Sequence, residues 1–433
     1  MTNERADGIS MQGGRDQLRP DPGAGEARIL PRANPLLARV APPPIAQADR
    51  WAAAYDGRHG ALINCSQAVP NHAPPADFAA RLAEAAASPQ AARYGDILGD
   101  PALRHAYAAH VSRRYDATIE PGRVAITAGC NQAFFAAMIT VAGAGDAVIL
   151  PAPWYFNHQM TLDMLGIEKR PLVTKAETGF LPDPAALEAL IDEKTRALVL
   201  VSPNNPTGAV YPPSLLVELF DTCVRRGLHL VLDETYRDFL PPETGAPHAL
   251  FAAPEGEAHL ISLYSFSKAY AIPGHRVGAM ISGEALAAEI EKVIDCIQIC
   301  APRPAQAALP QAIESLADWR AENAAVIAAR ARLFEDMLGD IPGWELDQIG
   351  AYFAYVRHPF PDRPAADVAA GLARDAGILA LPGSFFGPDQ ERHLRIAFAN
   401  VPEDGIREVM RRLALNSGGD AGKDNREKVR NDG

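Results

Sequence analysis

Lys268 stands in the segment SFSKAYAIPGHRVG, directly after an apolar run, with Arg276 eight residues further on. Two cations held near each other need a buried counter-charge or an anionic ligand. Asp233 is the candidate counter-charge: it closes the run HLVLD and is followed by Glu234, Thr235 and Tyr236. Upstream, RALVLVS leads into SPNNPTG, and VAIT leads into AGCNQA. The turn Ala128-Gly129-Cys130-Asn131 suits an anion such as a phosphate, because free N–H groups at a helix start point at it and Gly129 permits close approach. Arg276 adds a planar fork for a bidentate charge contact. Taken alone, Lys268 in a serine-rich turn reads as an ordinary solvated lysine, and Asp233 as a helix cap after a strand. It is their grouping that points to chemistry.

These residues sit at the ends of apolar runs, and the runs define the scaffold. VAIT (124–127), AVIL (147–150), RALVLVS (196–202), HLVLD (229–233), LISLYS (260–265) and VGAMIS (277–282) read as strands, several of them apolar throughout, as strands covered on both faces are. Helical stretches lie between them: 131–141, and 213–226 with Leu215, Leu216, Leu219 and Phe220 on one face. This alternation predicts an α/β fold with a largely parallel sheet between helices. Ligands bind at the carboxyl ends of strands in such sheets, where the polar residues above are delivered. After Gly283, helical segments at 284–296 and 304–338 give way to the strand-like pieces YFAYVR and HLRIAFA around a helix at 364–375, a smaller α+β lobe. The predicted organisation is a polar tail over 1–30, an N-terminal arm and part of the small domain over 31–74, a large domain over 75–310, a small C-terminal domain over 311–415 and a second polar tail over 416–433.

Composition narrows the function classes. The 433 residues are 48% hydrophobic and 22% charged, ordinary for a globular chain of two or three lobes. The net charge of −12 repels nucleic acid and anionic membranes, so neither is an expected partner. Five cysteines form no CxxC pair, which fits a reducing compartment, and Cys296 and Cys300 read as buried neighbours on one helix face. The first twenty residues lack an apolar h-region, so a cytoplasmic location is expected rather than secretion. An uncharged stretch runs from 124 to 145, but its Asn131, Gln132 and three glycines read as strand, turn and helix rather than a membrane span. The 11 histidines show no metal-ligand spacing, and no GxSxG, Walker or post-strand GxGxxG motif occurs; no metal is expected.

Taken in order, YGDILGDPALR, ITAGCNQAF, PAPWYF, SPNNPTG, DETY, SFSK with Arg276 behind it, and RIAFAN resemble the class I/II aminotransferases, pyridoxal-phosphate enzymes of fold type I. The resemblance covers roughly residues 35–415 and implies a mostly parallel seven-stranded sheet in a large cofactor-binding domain. It implies pyridoxal 5'-phosphate as cofactor and transfer of an amino group from an amino acid to a 2-oxo acid by a ping-pong mechanism. Lys268 then looks like the Schiff-base lysine that also shuttles the substrate proton. Asp233 looks like the partner that keeps the pyridinium nitrogen protonated. Tyr236 and Asn205 look like donors to the phenolate oxygen. Gly129, Cys130, Asn131, Ser265 and Arg276 look like the phosphate cup, with Cys130 acting through its backbone and Ser267 as a possible addition. Trp154 resembles the aromatic that stacks on the ring, with a core tryptophan as the bland reading. Arg395, an arginine inside an apolar strand, looks like the clamp on the substrate α-carboxylate. Tyr94 looks like the residue that reaches the cofactor phosphate of a neighbouring subunit, which implies a homodimer with shared sites. The Asn205–Pro206 bond is expected to be cis.

Two features depart from the pattern. Ala68, within SQAVPN, stands where the family commonly has glycine, so either its methyl narrows the site near the α-carboxylate or the loop is shifted. No second arginine is identifiable for a side-chain carboxylate. His158 reads as a structural histidine in preference to a substrate contact. The same lysine and carboxylate also serve lyases that eliminate at the β-carbon, so C–S lyase chemistry is the alternative. A non-catalytic, aminotransferase-like regulator is a third reading, but it needs a DNA-binding domain, for which the polar region before residue 35 is too short.

Overall fold

The computed structural model describes residues 33–416. The tail expected over 1–30, and all of the tail after residue 416, lie outside the described residues. A short strand β1 (Ile63–Asn64) precedes the large sheet, which is built from β2 (Val124–Thr127), β3 (Ala147–Ala152), β4 (Glu168–Val173), β5 (Thr195–Val201), β6 (His229–Asp233), β7 (Leu260–Ser265) and β8 (Gly278–Ile281). The small lobe adds β9 (Glu345–Gly350), β10 (Phe353–Arg357), β11 (Ile378–Leu379), β12 (Leu381–Pro382) and β13 (His393–Ala397). The seven-stranded order is β2-β8-β7-β6-β5-β3-β4, and only β8 runs antiparallel to its neighbours.

Alternation along each strand divides the core in two. Leu198, Leu200, Leu230, Leu232, Leu260 and Tyr264 face one apolar layer. Ala197, Val199, Val231, Ile261 and Leu263 face the other. Val201, Asp233 and Ser265 continue the second series to the strand ends, so one face of the sheet presents all three at one edge. Glu234, next to Asp233, is taken up by Tyr115, Ser262 and His248.

The small lobe packs its own core from the helix Ala317–Leu338, the sheet β12-β13-β10-β9 and the helix Glu403–Asn416. The strand β1 pairs in parallel with β11, which ties the N-terminal arm to this lobe. The helix Arg303–Ser315 crosses the boundary expected at 310, and its Ala312 and Ile313 belong to the large core. The single helical stretch expected over 304–338 is two helices, breaking at Leu316. Strands β4 and β9 carry the polar sequences EKRPLV and ELDQIG; both are edge strands, where a half-exposed face removes the apolar signature and Pro171 is tolerated. Cys296 is exposed and Cys300 lies beyond the helix end at Gln298, which corrects the reading of two buried helix neighbours. No helix among the described residues is long and apolar enough to cross a membrane.

Candidate active site

The loops after β2, β5, β6 and β7, and the turn before β8, converge on a cavity of about 180 Å3 that opens to solvent. Cys130, Asn131, Asn205, Asp233, Tyr236, Ser265, Lys268 and Arg276 all line it, together with Tyr155, Thr235 and Ser267. The expected lysine, carboxylate and phosphate-cup residues are therefore brought to one place.

One end of the cavity is built for an anion. The helix Cys130–Val141 starts there behind Gly129, whose φ is +85°, and its first N–H groups have no carbonyl one turn earlier to bond. A Cβ on Gly129 would stand 2.1 Å from Arg276 Nη2, so the guanidinium lies directly against this turn. Arg276 Nη1 donates to the Pro273 carbonyl, 3.0 Å. Ser265 caps the short helix that carries Lys268, accepting from the Ser267 N–H at 3.2 Å.

The deep end holds a carboxylate. Asp233 is buried; its Oδ1 accepts from the Thr235 N–H at 2.9 Å, and its Oδ2 lies 3.5 Å from His158 Nε2. The His158 ring is stacked on Phe134, 3.9 Å between centroids, with Tyr155 at its edge. His158 is not among the residues that line the cavity, its partner is the site's own acid, and its Nδ1 is buried without one. The Cys130 thiol also bonds toward Thr235 and Asp233, and burial followed by the Asp233 charge pushes it well above the ordinary thiol range, so it is no nucleophile.

Lys268 Nζ donates to the Ala68 carbonyl. Burial, then the charges of Arg395 and Arg276, lower its amine to about 8. Ala68 thus meets the site through its carbonyl; its side chain packs on the small-lobe core, not in the cavity, and does not narrow it. Arg395 is buried on β13, where Nη1 donates to Asn205 Oδ1 at 2.9 Å and Nη2 to the Ser66 carbonyl. Its Cζ lies 5.0 Å from the Phe353 ring centroid and 4.9 Å from that of Phe386, and its Nε is buried without a partner. Burial lowers Arg395 to about 10. An arginine so placed, between two aromatic rings and short of an acceptor, fits an incoming carboxylate.

Two expectations are corrected. Trp154 does not line the cavity: its indole N–H bonds Gln159 Oε1 at 2.7 Å, its ring abuts Gly387, and it belongs to the core beneath the sheet. The next residue, Tyr155, faces the cavity instead, because successive residues of an extended segment point to opposite sides. The cis bonds are Ala152–Pro153 and Ser202–Pro203, and Asn205–Pro206 is not one of them. The SPNNPTG loop is closed by hydrogen bonds from Asn204 N to the Ala209 carbonyl, 2.7 Å, and from Gly208 N to the Asn204 carbonyl, 2.8 Å. Tyr94 lies elsewhere, 78% exposed, beside Cys300 and Arg303 in a separate surface depression. Among the described residues no group of three or more His, Cys, Asp or Glu is placed to hold a metal ion.

Residues 62–413 match the family model for aminotransferase class I and II. The chain is 32% identical to a valine–pyruvate aminotransferase of Mycobacterium tuberculosis over 385 residues, 87% of this chain and 96% of the relative. It is 29% identical to an aromatic aminotransferase of Arabidopsis thaliana over 362 residues, 81% and 88% of the two chains. A crystal structure of an aminotransferase from Mycobacterium tuberculosis superposes with a TM-score of 0.81 at 30% identity, over 89% of this chain and 99% of that one. The chain belongs to the class I and II aminotransferase family. It is an enzyme with aminotransferase activity, of a family and fold that depend on pyridoxal phosphate.

Proposed function

We propose that this chain binds pyridoxal 5'-phosphate on Lys268 and transfers amino groups, in a ping-pong cycle, between amino acids that carry no side-chain carboxylate and small 2-oxo acids. The observation that carries this reading is the cavity shared by Lys268, Asp233, Asn205 and Arg276, with Arg395 bonded to Asn205 from β13.

The residues present fit the cofactor. A doubly charged phosphate suits the Gly129–Asn131 turn with Arg276 and Ser265, and a ring nitrogen suits Asp233, whose carboxylate holds a proton there. Tyr155 supplies the flat face, and Tyr236 and Asn205 the donors for the phenolate oxygen. Pyridoxal phosphate, when bound, supplies an electron-withdrawing ring that spreads negative charge from the substrate α-carbon. The protein's work is to place and protonate. Arg395 grips the α-carboxylate through its fork and so fixes the α-carbon against Lys268. Lys268 Nζ, with an amine lowered toward neutrality, takes and returns the α-proton.

The substrate class rests on charge. Lys268 and Arg276 are the cations among the described cavity-lining residues, and Arg395 joins them from β13; each already has a role, and no further arginine is present to meet a side-chain carboxylate. The valine–pyruvate specificity in the name of a 32%-identical relative supports the same class. Tyr94 completes the cofactor site of a second copy in a twofold dimer. Five unpaired cysteines support work in a reducing compartment such as the cytoplasm.

A half-reaction screen tests the reading. Single amino acids are added to the purified, cofactor-loaded enzyme without an acceptor, and the absorbance of the bound cofactor is followed. Valine, alanine or an aromatic amino acid is expected to bleach it and leave the pyridoxamine form. A response confined to aspartate and glutamate refutes the substrate class, and release of pyruvate with ammonia marks lyase chemistry instead.

A further inference from the structure

The two lobes touch backbone to backbone at a pair of glycines. A Cβ placed on Gly350, at the end of β9, would stand 2.1 Å from the Gly208 carbonyl oxygen. A Cβ placed on Gly208 would stand 2.4 Å from the Gly350 N atom. No other residue fits either position without the lobes separating, and Gly208 also has a φ of +83°.

Each glycine belongs to a stiff unit that also carries half of the carboxylate clamp. Gly208 lies in the loop closed by Asn204, whose side chain also accepts from the Thr207 hydroxyl at 2.9 Å. The same loop holds Asn205. Gly350 is paired with Phe353 across the β9–β10 hairpin, Phe353 with Ala397 and Tyr355 with Arg395 across β10–β13. Phe353 also lies under the Arg395 guanidinium. A third contact, Gln348 Nε2 to the Gly179 carbonyl at 3.2 Å, pins β9 to the large lobe. Two rigid units therefore meet twice, once at Gly208–Gly350 and once at Asn205–Arg395.

We infer that the Gly208–Gly350 contact is a depth gauge for the substrate clamp: it sets how far the small lobe advances, and through β10 and β13 how close Arg395 comes to Asn205 and to the substrate carboxylate. Gly208 and Gly350 are positioning residues, since neither touches substrate. The inference rests on the reading of Arg395 as the carboxylate clamp.

The test is Gly350→Ala in the cofactor-loaded enzyme, with Arg395→Lys beside it. The added methyl wedges the hairpin away from the loop. KM for the amino acid and KM for the 2-oxo acid are expected to rise together, on the order of tenfold or more, because both substrates share the carboxylate. The cofactor's affinity stays near wild type, since Lys268, Asp233 and Arg276 all belong to the large lobe, while the resting absorbance is free to shift because Asn205, bonded to Arg395, is also a donor to the phenolate oxygen. Unchanged KM values overturn the inference, as does a loss of cofactor affinity in step with KM, which would mark a general packing role. If Arg395→Lys also leaves both KM values unchanged, the clamp reading fails and takes the gauge with it; if only Gly350→Ala does, the gauge alone fails. Should Gly350→Ala not fold, Gln348→Ala loosens the same hairpin without adding an atom and is judged by the same criteria.

Discussion

At the scale of single residues, the site is governed by what burial does to charge. Lys268 lies near the Arg395 and Arg276 guanidinium groups and has no carboxylate bonded to it, so burial first and those charges second disfavour its ammonium form and bring its amine down to about 8. Below that value the ammonium dominates and cannot attack a carbonyl; above it the amine is free. The rate at which cofactor-free protein takes up pyridoxal phosphate is therefore expected to climb about tenfold per pH unit up to roughly pH 8 and then level off. Stopped-flow absorbance between about pH 6 and about pH 10 reads this directly. A rate still climbing past pH 10, as for an ordinary solvated lysine, would show that the amine is not held down. Asp233 presents the opposite case: its oxygens are engaged by the Thr235 N–H and approached by His158 Nε2, and these contacts aim the carboxylate while it stays buried. Aim of that kind was invisible in the sequence. The Asp233, Lys268, Asn205 and Arg395 positions could be read from strand ends and motif order, but the partner of His158 depends on a helix and a strand that only the fold brings together.

At the scale of elements, legibility follows burial. The runs HLVLD and LISLYS match β6 and β7 to the residue because a strand covered on both faces has no choice but to be apolar. Strands β4 and β9 were not read, being edges. The Trp154–Tyr155 pair shows a further limit: two aromatics in succession must point to opposite sides, and nothing local says which side is the cavity. Beyond the helix Glu284–Gln298 lies a turn that sequence gives no hint of. Ile299 has φ +68° and ψ −60°, and Cys300 N donates back to the Gln298 carbonyl at 2.8 Å, closing a γ-turn. That turn is rare and strained, more so for a β-branched residue, at about 1–3 kcal/mol. Glycine would relieve the strain but adds roughly 0.5–1 kcal/mol of chain entropy. The Ile299 side chain is 40% exposed in a single chain, so if nothing outside this chain covers it Ile299→Gly stabilises the fold by up to about 1 kcal/mol, a rise of ~2 °C in Tm, whereas a second subunit packed on Ile299 turns the change into a loss. Differential scanning calorimetry of the holoenzyme checks it, and a fall in Tm would mean that contacts from outside this chain hold the strained turn in place.

At the scale of the whole molecule, that outcome bears on the dimer. Tyr94 is 78% exposed, and Ile297 and Ile299 are 42% and 40% exposed on the neighbouring helix end. The depression between them is lined by Tyr94, Gln298, Cys300 and Arg303. Large aromatic and aliphatic groups gathered on one surface are what a second subunit covers. If Tyr94 serves the partner's cofactor, a site needs Lys268 from one copy and Tyr94 from the other, and the two defects must complement. Lys268→Ala protomers retain Tyr94; Tyr94→Ala protomers retain Lys268. A hybrid of the two holds one site with neither residue and one site with both, the latter native in every part. Random mixing makes about half of the dimers hybrid, so about a quarter of all sites regain native character. Activity at limiting cofactor is therefore expected to rise, from the low level of either variant alone, to about a quarter of wild type after the two are unfolded and refolded together. Mixing without subunit exchange gives only the average of the two variants. If refolded mixtures show only that same average while light scattering reports dimers, Tyr94 serves its own chain or none, and the sites are not shared.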